Sequence, residues 1–210
     1  MIDIEPKKLT LEEIKEAWYF SDKVKFNNVD EETKTEYHLS LIDEDTLLIS
    51  FQRTRQKKDW VYNFCFWKKP YSNMKETFFV HWGFLKKYKA VQDRIHKAIG
   101  EYAPKKILLR GYSQGGAIAQ IAHEDISWNY PNIDVQTIVF GSPQPFSLFN
   151  HKDVKERLKN VLRVEYEGDI VTYIPSIIFG YWSYGTKVRI GPKKIFGTPK
   201  GHTEYNELLR

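Results

Sequence analysis

Residues 111 to 115 read Gly111, Tyr112, Ser113, Gln114 and Gly115, a serine between two glycines at the spacing of a nucleophile elbow. In such an elbow a strained turn between a strand and a helix lifts the serine hydroxyl clear of a sheet. The bare pattern is a weak signal, because chance supplies it in about 6% of chains this long. Its surroundings are more specific: Ile107, Leu108 and Leu109 precede it, and Ala117, Ile118 and Ala119 follow. A serine hydroxyl is a poor nucleophile near neutral pH. It needs a histidine to take its proton and a carboxylate to hold that histidine in the right tautomer and stabilise its charged form. The chemistry such a set performs is acyl transfer.

Chain order narrows the choice of partners, since on this kind of elbow the acid and then the histidine follow the serine. Downstream lie His123, His151 and His202. His123 falls on the helix that starts at the elbow, where it cannot turn to face Ser113, and His151 opens a charged stretch ahead of the best acid. His202, flanked by Gly201 and Thr203 beyond the expected strands, can fold back over a sheet. Asp169 ends the loop Glu167, Gly168, Asp169 directly after an apolar strand, where a triad acid belongs. Glu167 competes for the same role, whereas Asp134 and Asp153 read as solvated charges.

The elements that must position these groups follow from periodicity. Thr10 with Glu13 three positions on predicts a capping box opening a short amphipathic helix over 9–20. Runs at 37–42 and 46–51 around Asp43, Glu44 and Asp45 predict a hairpin. Trp60, Tyr62, Phe64 and Phe66 fall at every second position, which predicts an extended segment. Phe84, Leu85, Tyr88, Val91, Ile95, Ala98 and Ile99 recur at helical spacing, so a helix is expected over 84–102 with Gly100 helping to end it. A strand at 106–110, the turn 111–116 and an alanine-rich helix to about residue 128 come next. Strands at 135–140 and 161–166 enclose a charged helical stretch at 151–159. This alternation predicts one α/β domain over 1–210, with a largely parallel sheet covered by helices on both faces.

The 210 residues are 41% apolar and 28% charged, ordinary for a globular chain, and no apolar run reaches the length of a membrane span. The N-terminus lacks the apolar stretch of a secretory signal, and Cys65 is the only cysteine, so no intramolecular disulfide can form. A reducing, cytoplasmic compartment is the expectation. The net charge of +5 comes from dispersed lysines. It reads as a solvated surface, with attraction to an anionic lipid surface as the sharper alternative. No zinc-ligand spacing or phosphate-binding loop accompanies the charge, nor any nucleic-acid motif. No cofactor, metal or nucleic acid is therefore expected.

Six ordered blocks across roughly residues 35 to 205 resemble the class 3 lipase family. Phe51, Gln52, Arg53, Thr54 with Asp59 and Trp60 is similar to its F-R-G-[ST] and D-W pairing, and His81, Trp82, Gly83, Phe84 to its H-x-G-F. Gly111 to Gly116 is similar to G-H-S-L-G-G, and Phe140, Gly141, Ser142, Pro143 to F-G-x-P. The run from Val164 to Pro175 resembles the acid segment, and Phe179, Gly180, Tyr181 the F-G-Y. The resemblance implies an α/β-hydrolase fold. Ser113 is then the nucleophile, Asp169 the acid and His202 the base, with the backbone N–H of Gln114 and Thr54 as oxyanion donors. It also implies a lid over an acyl groove at about 55–63. Trp60 and Tyr62 then lie in the lid and Tyr112 faces the substrate, although Trp60 reads equally well as core packing. The chain departs from the pattern at Arg53, where glycine is usual, and at Tyr112 and Gln114 beside the serine. Arg53 narrows the groove or selects an anionic headgroup. The implied activity is lipid-ester hydrolysis, with a small-ester or feruloyl-type esterase and a catalytically silent lipid-binding relative as alternatives.

Overall fold

A computed structural model describes residues 9–53, 67–72, 77–150, 152–192 and 197–209. The capping box forms as expected: the Thr10 side chain accepts from the Glu13 N–H at 3.2 Å, and the Glu13 carboxylate accepts from the Thr10 N–H at 2.8 Å. It opens helix α1 (Leu11–Trp18), which passes into a π-helical turn at Tyr19–Lys23. The expected hairpin is β2 (Thr35–Leu41) with β3 (Thr46–Phe51), and the short strand β1 (Asn28–Asp30) adds to its outer edge. The alternating aromatics from Trp60 to Phe66 lie outside the described residues.

A small antiparallel sheet that periodicity did not announce comes next. It begins with β4 (Lys68–Ser72) and β5 (Thr77–His81) and is completed by β8 (Phe146–Ser147) and β10 (Tyr181–Trp182), in the order β10-β8-β5-β4. Helix α2 (Trp82–Tyr102) then buries Phe84, Leu85, Tyr88, Val91, Ile95, Ala98 and Ile99, the stripe expected of it. It ends at Tyr102 as expected, but Gly100 does not stop it: Ala103 caps the helix in the left-handed conformation at φ 45° with its N–H on the Ile99 carbonyl. Pro104 stands immediately beyond and cannot continue the ladder.

The main sheet has seven strands in the order β1-β2-β3-β6-β7-β9-β11, where β6 is Lys106–Tyr112, β7 Asp134–Phe140, β9 Val161–Tyr166 and β11 Thr186–Ile190. From β3 to β11 every neighbouring pair is parallel, and only β2, antiparallel to both β1 and β3, runs against the rest. This is the α/β-hydrolase arrangement. The alternation of strand side chains divides the core into two halves. Leu47, Ile49, Phe51, Ile107, Leu109, Val135 and Val139 face α2 and α3 (Gln114–Asn129). Tyr112, Ile138, Phe140, Val164 and Tyr166 face the other way and meet Ile14, Ala17 and Trp18 of α1. The charged helical stretch expected ahead of β9 is α4 (Lys152–Arg157), which gives way to a 3-10 turn at Leu158–Asn160. A last short helix, α5 (Tyr205–Leu208), completes the described chain. No helix among the described residues is long and apolar enough to cross a membrane.

Candidate active site

Ser113 stands between the end of β6 and the start of α3 with φ 56° and ψ −126°, a conformation that costs a non-glycine residue on the order of 1 to 3 kcal/mol. Its N–H donates to the Phe140 carbonyl at 2.9 Å, which locks the turn to β7. The flanking glycines answer to crowding. A Cβ on Gly111 would lie 2.4 Å from the carbonyl group of Gly115, and one on Gly115 would lie 2.0 Å from the Phe51 carbonyl oxygen. Only bare backbone lets α3 start this close to β3 and β6. Ser113 thus sits at the positive end of a helix of 16 residues.

Asp169 lies where the sequence puts it, at the C-terminal end of β9. Its Oδ1 accepts from the Val171 N–H at 2.9 Å, opening the turn Ile170–Tyr173, and its Oδ2 accepts from His202 Nδ1 at 2.9 Å. Glu167, the rival carboxylate, turns outward to Arg189 at 3.2 Å. His202 is carried by the 3-10 turn Lys200–Thr203, which is strapped to the acid loop by the Thr198 N–H on the Gly168 carbonyl at 2.7 Å. Its Nε2 stands 2.8 Å from Ser113 Oγ. Because a carboxylate only accepts, Nδ1 carries the proton and Nε2 is left to accept from the serine hydroxyl. Ser113, His202 and Asp169 therefore form one continuous hydrogen-bonded chain, with Asp169 fully buried and His202 nearly so.

The other histidines are elsewhere. His123 is buried on α3 between Thr137 Oγ1 and the Arg157 carbonyl, each at 2.8 Å, and burial pushes its pKa down to about 4. His151 lies outside the described residues, as do Thr54, Trp60 and Tyr62 and the whole of the expected lid. Gln114 is the first residue of α3, so its N–H belongs to the helix turn that presents its donors outward.

Tyr112 corrects an expectation. It does not face a substrate: it is fully buried, its ring stacks on the His202 ring at 4.9 Å, and its hydroxyl donates to the His202 carbonyl. As the last residue of β6 it points to the α1 side of the sheet, which puts it behind the histidine. Burial raises its pKa, so it remains a neutral donor. Arg53 is also accounted for. Its Nε pairs with Asp22 Oδ1 at 3.0 Å and its guanidinium lies 5.5 Å from the Tyr112 ring centre, so the cation is folded back onto the π-helical turn.

One supporting residue was not singled out from the sequence. Tyr205 Oη donates to Asp169 Oδ2 at 2.8 Å and accepts from the Tyr166 N–H at 2.8 Å, so the carboxylate is held on a second side. Burial first, and then the charge of Asp169, raise the Tyr205 pKa well above the ordinary phenol value. A tyrosine three positions after the histidine was the only available hint.

The model of the class 3 lipases matches residues 48–179, more than half of the chain. A secreted mono- and diacylglycerol lipase of Fusarium solani is 27% identical over 139 residues, 64% of this chain and 41% of that protein. Lipase II from Rhizopus niveus superposes with a TM-score of 0.65 at 22% identity, over 75% of this chain and 62% of that one. The triacylglyceride lipase of Rhizomucor miehei gives 0.64 at 22% identity, over 76% and 63%. The chain thus spans about two fifths of the Fusarium enzyme and under two thirds of these two structures.

Proposed function

The chain belongs to the class 3 lipase family, and from that premise we propose that it hydrolyses carboxylic esters of lipids through an acyl-enzyme on Ser113. The observation that carries the reading is the unbroken chain from Ser113 Oγ through His202 to the buried Asp169. His202 Nε2 takes the serine proton as Oγ attacks the acyl carbonyl, and returns it to the leaving alcohol. It then deprotonates the water that releases the acid. Asp169 stays ionised, orients the ring and stabilises the imidazolium. The oxyanion that develops would be met by the Gln114 N–H at the start of α3 and by Thr54, donors that elsewhere contribute about 3 to 4 kcal/mol each. Trp60 and Tyr62 belong, on this reading, to a lid over the acyl groove.

The substrate class is a lipid ester presented at a surface, with which this basic chain makes transient contact when the surface is anionic. With Cys65 as its one cysteine the chain suits a reducing, cytoplasmic compartment, whereas the Fusarium relative is a secreted lipase. A small-ester or feruloyl-type esterase is the second reading.

Release of p-nitrophenol from butyrate and palmitate esters by the wild type and by Ser113→Ala tests the proposal. Turnover should fall by at least about 10⁴-fold in the variant. Preference for palmitate supports the lipase, and preference for butyrate the esterase. A folded wild type inactive on both esters would overturn the hydrolase reading in favour of a silent lipid binder.

A further inference from the structure

The strands β6, β7 and β9 are parallel, so the segments leaving their C-terminal ends share one edge of the sheet with Ser113. Two of those segments carry large apolar side chains out into solvent. After β9 and Asp169, the 3-10 turn Ile177–Phe179 presents Ile178 at 86% exposure, with Ile177 and Phe179 about half exposed. After β7 and β8, Phe149 is 84% exposed. The two protrusions are neighbours. Strands β8 and β10 pair Ser147 with Tyr181, and the Leu148 N–H donates to the Gly180 carbonyl at 2.9 Å, so continuing the register sets Phe149 opposite Phe179.

The turn is closed on itself. Ser176 Oγ accepts from the Ile178 N–H at 3.0 Å, the Phe179 N–H donates to the Ser176 carbonyl at 2.9 Å, and Gly180 caps it at φ 72°. Its apolar side chains are therefore held outward by backbone geometry. A cation stands beside it: Lys68 Nζ lies 4.7 Å from the Tyr181 ring centre, whereas Lys187, whose Nζ lies 5.3 Å from the Tyr173 ring centre, is paired with Glu165 at 2.8 Å. Between residues 170 and 203 the sequence has Lys187, Arg189, Lys193, Lys194 and Lys200 and no aspartate or glutamate, and residues 135 to 152 have none either.

We propose that Phe149 and the turn Ile177–Phe179 form a fixed anchor that seats the Ser113 edge on an anionic lipid surface. The apolar side chains enter the acyl region while Lys68 beside the turn meets the headgroups. This rests on the lipid-ester reading and adds to it a docking surface separate from the expected lid. Four side chains so exposed offer roughly 500 Å², taking about 200 Å² for a large apolar side chain. That is short of the ~800 Å² per partner of a stable protein interface, but ample for shallow insertion into lipid.

The test is co-flotation of the full chain carrying Ser113→Ala, which leaves the vesicles undigested. The vesicles are phosphatidylcholine alone or with about one third phosphatidylglycerol. The parent should float with the anionic vesicles and much less with the neutral ones. Phe149→Ser with Ile178→Ser should lower partitioning by at least about 10-fold, and Lys68→Glu should lessen the preference for anionic vesicles. In the Ser113 background the double variant should hydrolyse dissolved p-nitrophenyl butyrate as the wild type does, which shows that it is folded. Equal flotation of parent and double variant overturns the anchor, as does a shift from dimer to monomer on sedimentation of the double variant, which would make the patch a self-association face. Loss of butyrate hydrolysis in the wild type with vesicle binding intact would sink the hydrolase reading and leave the anchor standing.

Discussion

His123 makes a prediction whose size follows from its surroundings. The ring is buried on α3, with Nε2 against the Arg157 carbonyl and Nδ1 against Thr137 Oγ1, both at 2.8 Å. Nε2 must donate to the carbonyl, so Nδ1 accepts from the threonine and the ring is neutral. Burial is the dominant cause of its low pKa of about 4, opposed by the Arg157 carbonyl and the distant charge of Asp134. In the unfolded chain the same ring titrates near 6.5. As pH falls from about 6.5 to about 4, the unfolded state therefore binds a proton that the folded state refuses, and stability is lost across that window. At about 1.36 kcal/mol per unit the loss approaches 3 kcal/mol, and it is complete near pH 4. Asp125, held near 2, begins to cost stability only below its ordinary value of 3.8, so the two windows do not overlap. With a denaturation slope of ~2 kcal/mol per molar urea, the midpoint should drop by about 1.5 M between pH 7 and pH 4. His123→Gln can still donate to the Arg157 carbonyl and cannot take up a proton, so its midpoint should be nearly flat over the same range. An equal slope in wild type and variant would refute the assignment.

Asp125 is a buried acceptor for Tyr71, Tyr88, Gln92 and His96. Burial alone would raise its pKa, but the hydrogen bonds of His96, Tyr71, Tyr88 and Gln92 outweigh that. Asp125→Ala strands those donors between α2, α3 and β4, and calorimetry should show a loss of about 3 to 5 kcal/mol, or on the order of 10 °C in Tm. Turnover per folded molecule should be unchanged. Gly141→Ala should act the other way round, on rate more than on folding: φ is 49°, and a Cβ there would stand 2.8 Å from Asp169 Oδ2 and 3.0 Å from His202 Cε1. Steady-state kinetics should give a kcat about 10²-fold lower with little change in KM. Tyr205→Phe removes the hydroxyl that donates to the buried Asp169 carboxylate and accepts from the Tyr166 N–H; urea unfolding should show a loss of about 2 to 3 kcal/mol.

The elbow was legible because its residues are dictated locally: no side chain fits at Gly111 or Gly115, and the flanking apolar runs have the lengths of a strand and a helix. Asp169 was legible by its place after a strand, with the resemblance choosing it over Glu167, and the outward pairing of Glu167 with Arg189 is the physical reason that the two carboxylates of one loop differ. The small sheet was not legible. β4 carries two lysines and Pro70, and β8 and β10 are two residues each, too short for any period to show. Parallel strand β11 is half exposed and mixed in character, so its pairing with β9 is a product of the fold. Tyr112 was read as facing substrate because its position beside Ser113 says nothing about which face of the sheet the end of β6 presents. The end of α2 at Tyr102 was legible but its cause was not: Gly100 lies in open space, where the helix tolerates it, and the cap is Ala103.

The part of the molecule that keeps His202 in place was the least visible in advance, and it begins nearly 100 residues before Ser113. On the proposed reading, His202 must present the same Nε2 first to Ser113 and then to a water, so any swing of the ring costs rate in both steps. Its immobility comes from an aromatic wall. Trp18 stacks on Tyr205 at 5.7 Å and meets Tyr112 edge-on at 5.0 Å and Phe140 at 5.2 Å. Tyr112 in turn covers the His202 ring, and Tyr205 holds Asp169. Helix α1, which the capping box at Thr10 and Glu13 starts, delivers Trp18 to the one face of the sheet where these rings converge. The two halves of the core thus carry different tasks. The side facing α2 and α3 builds the turn that lifts the serine hydroxyl, and the side facing α1 fixes the imidazole that takes its proton.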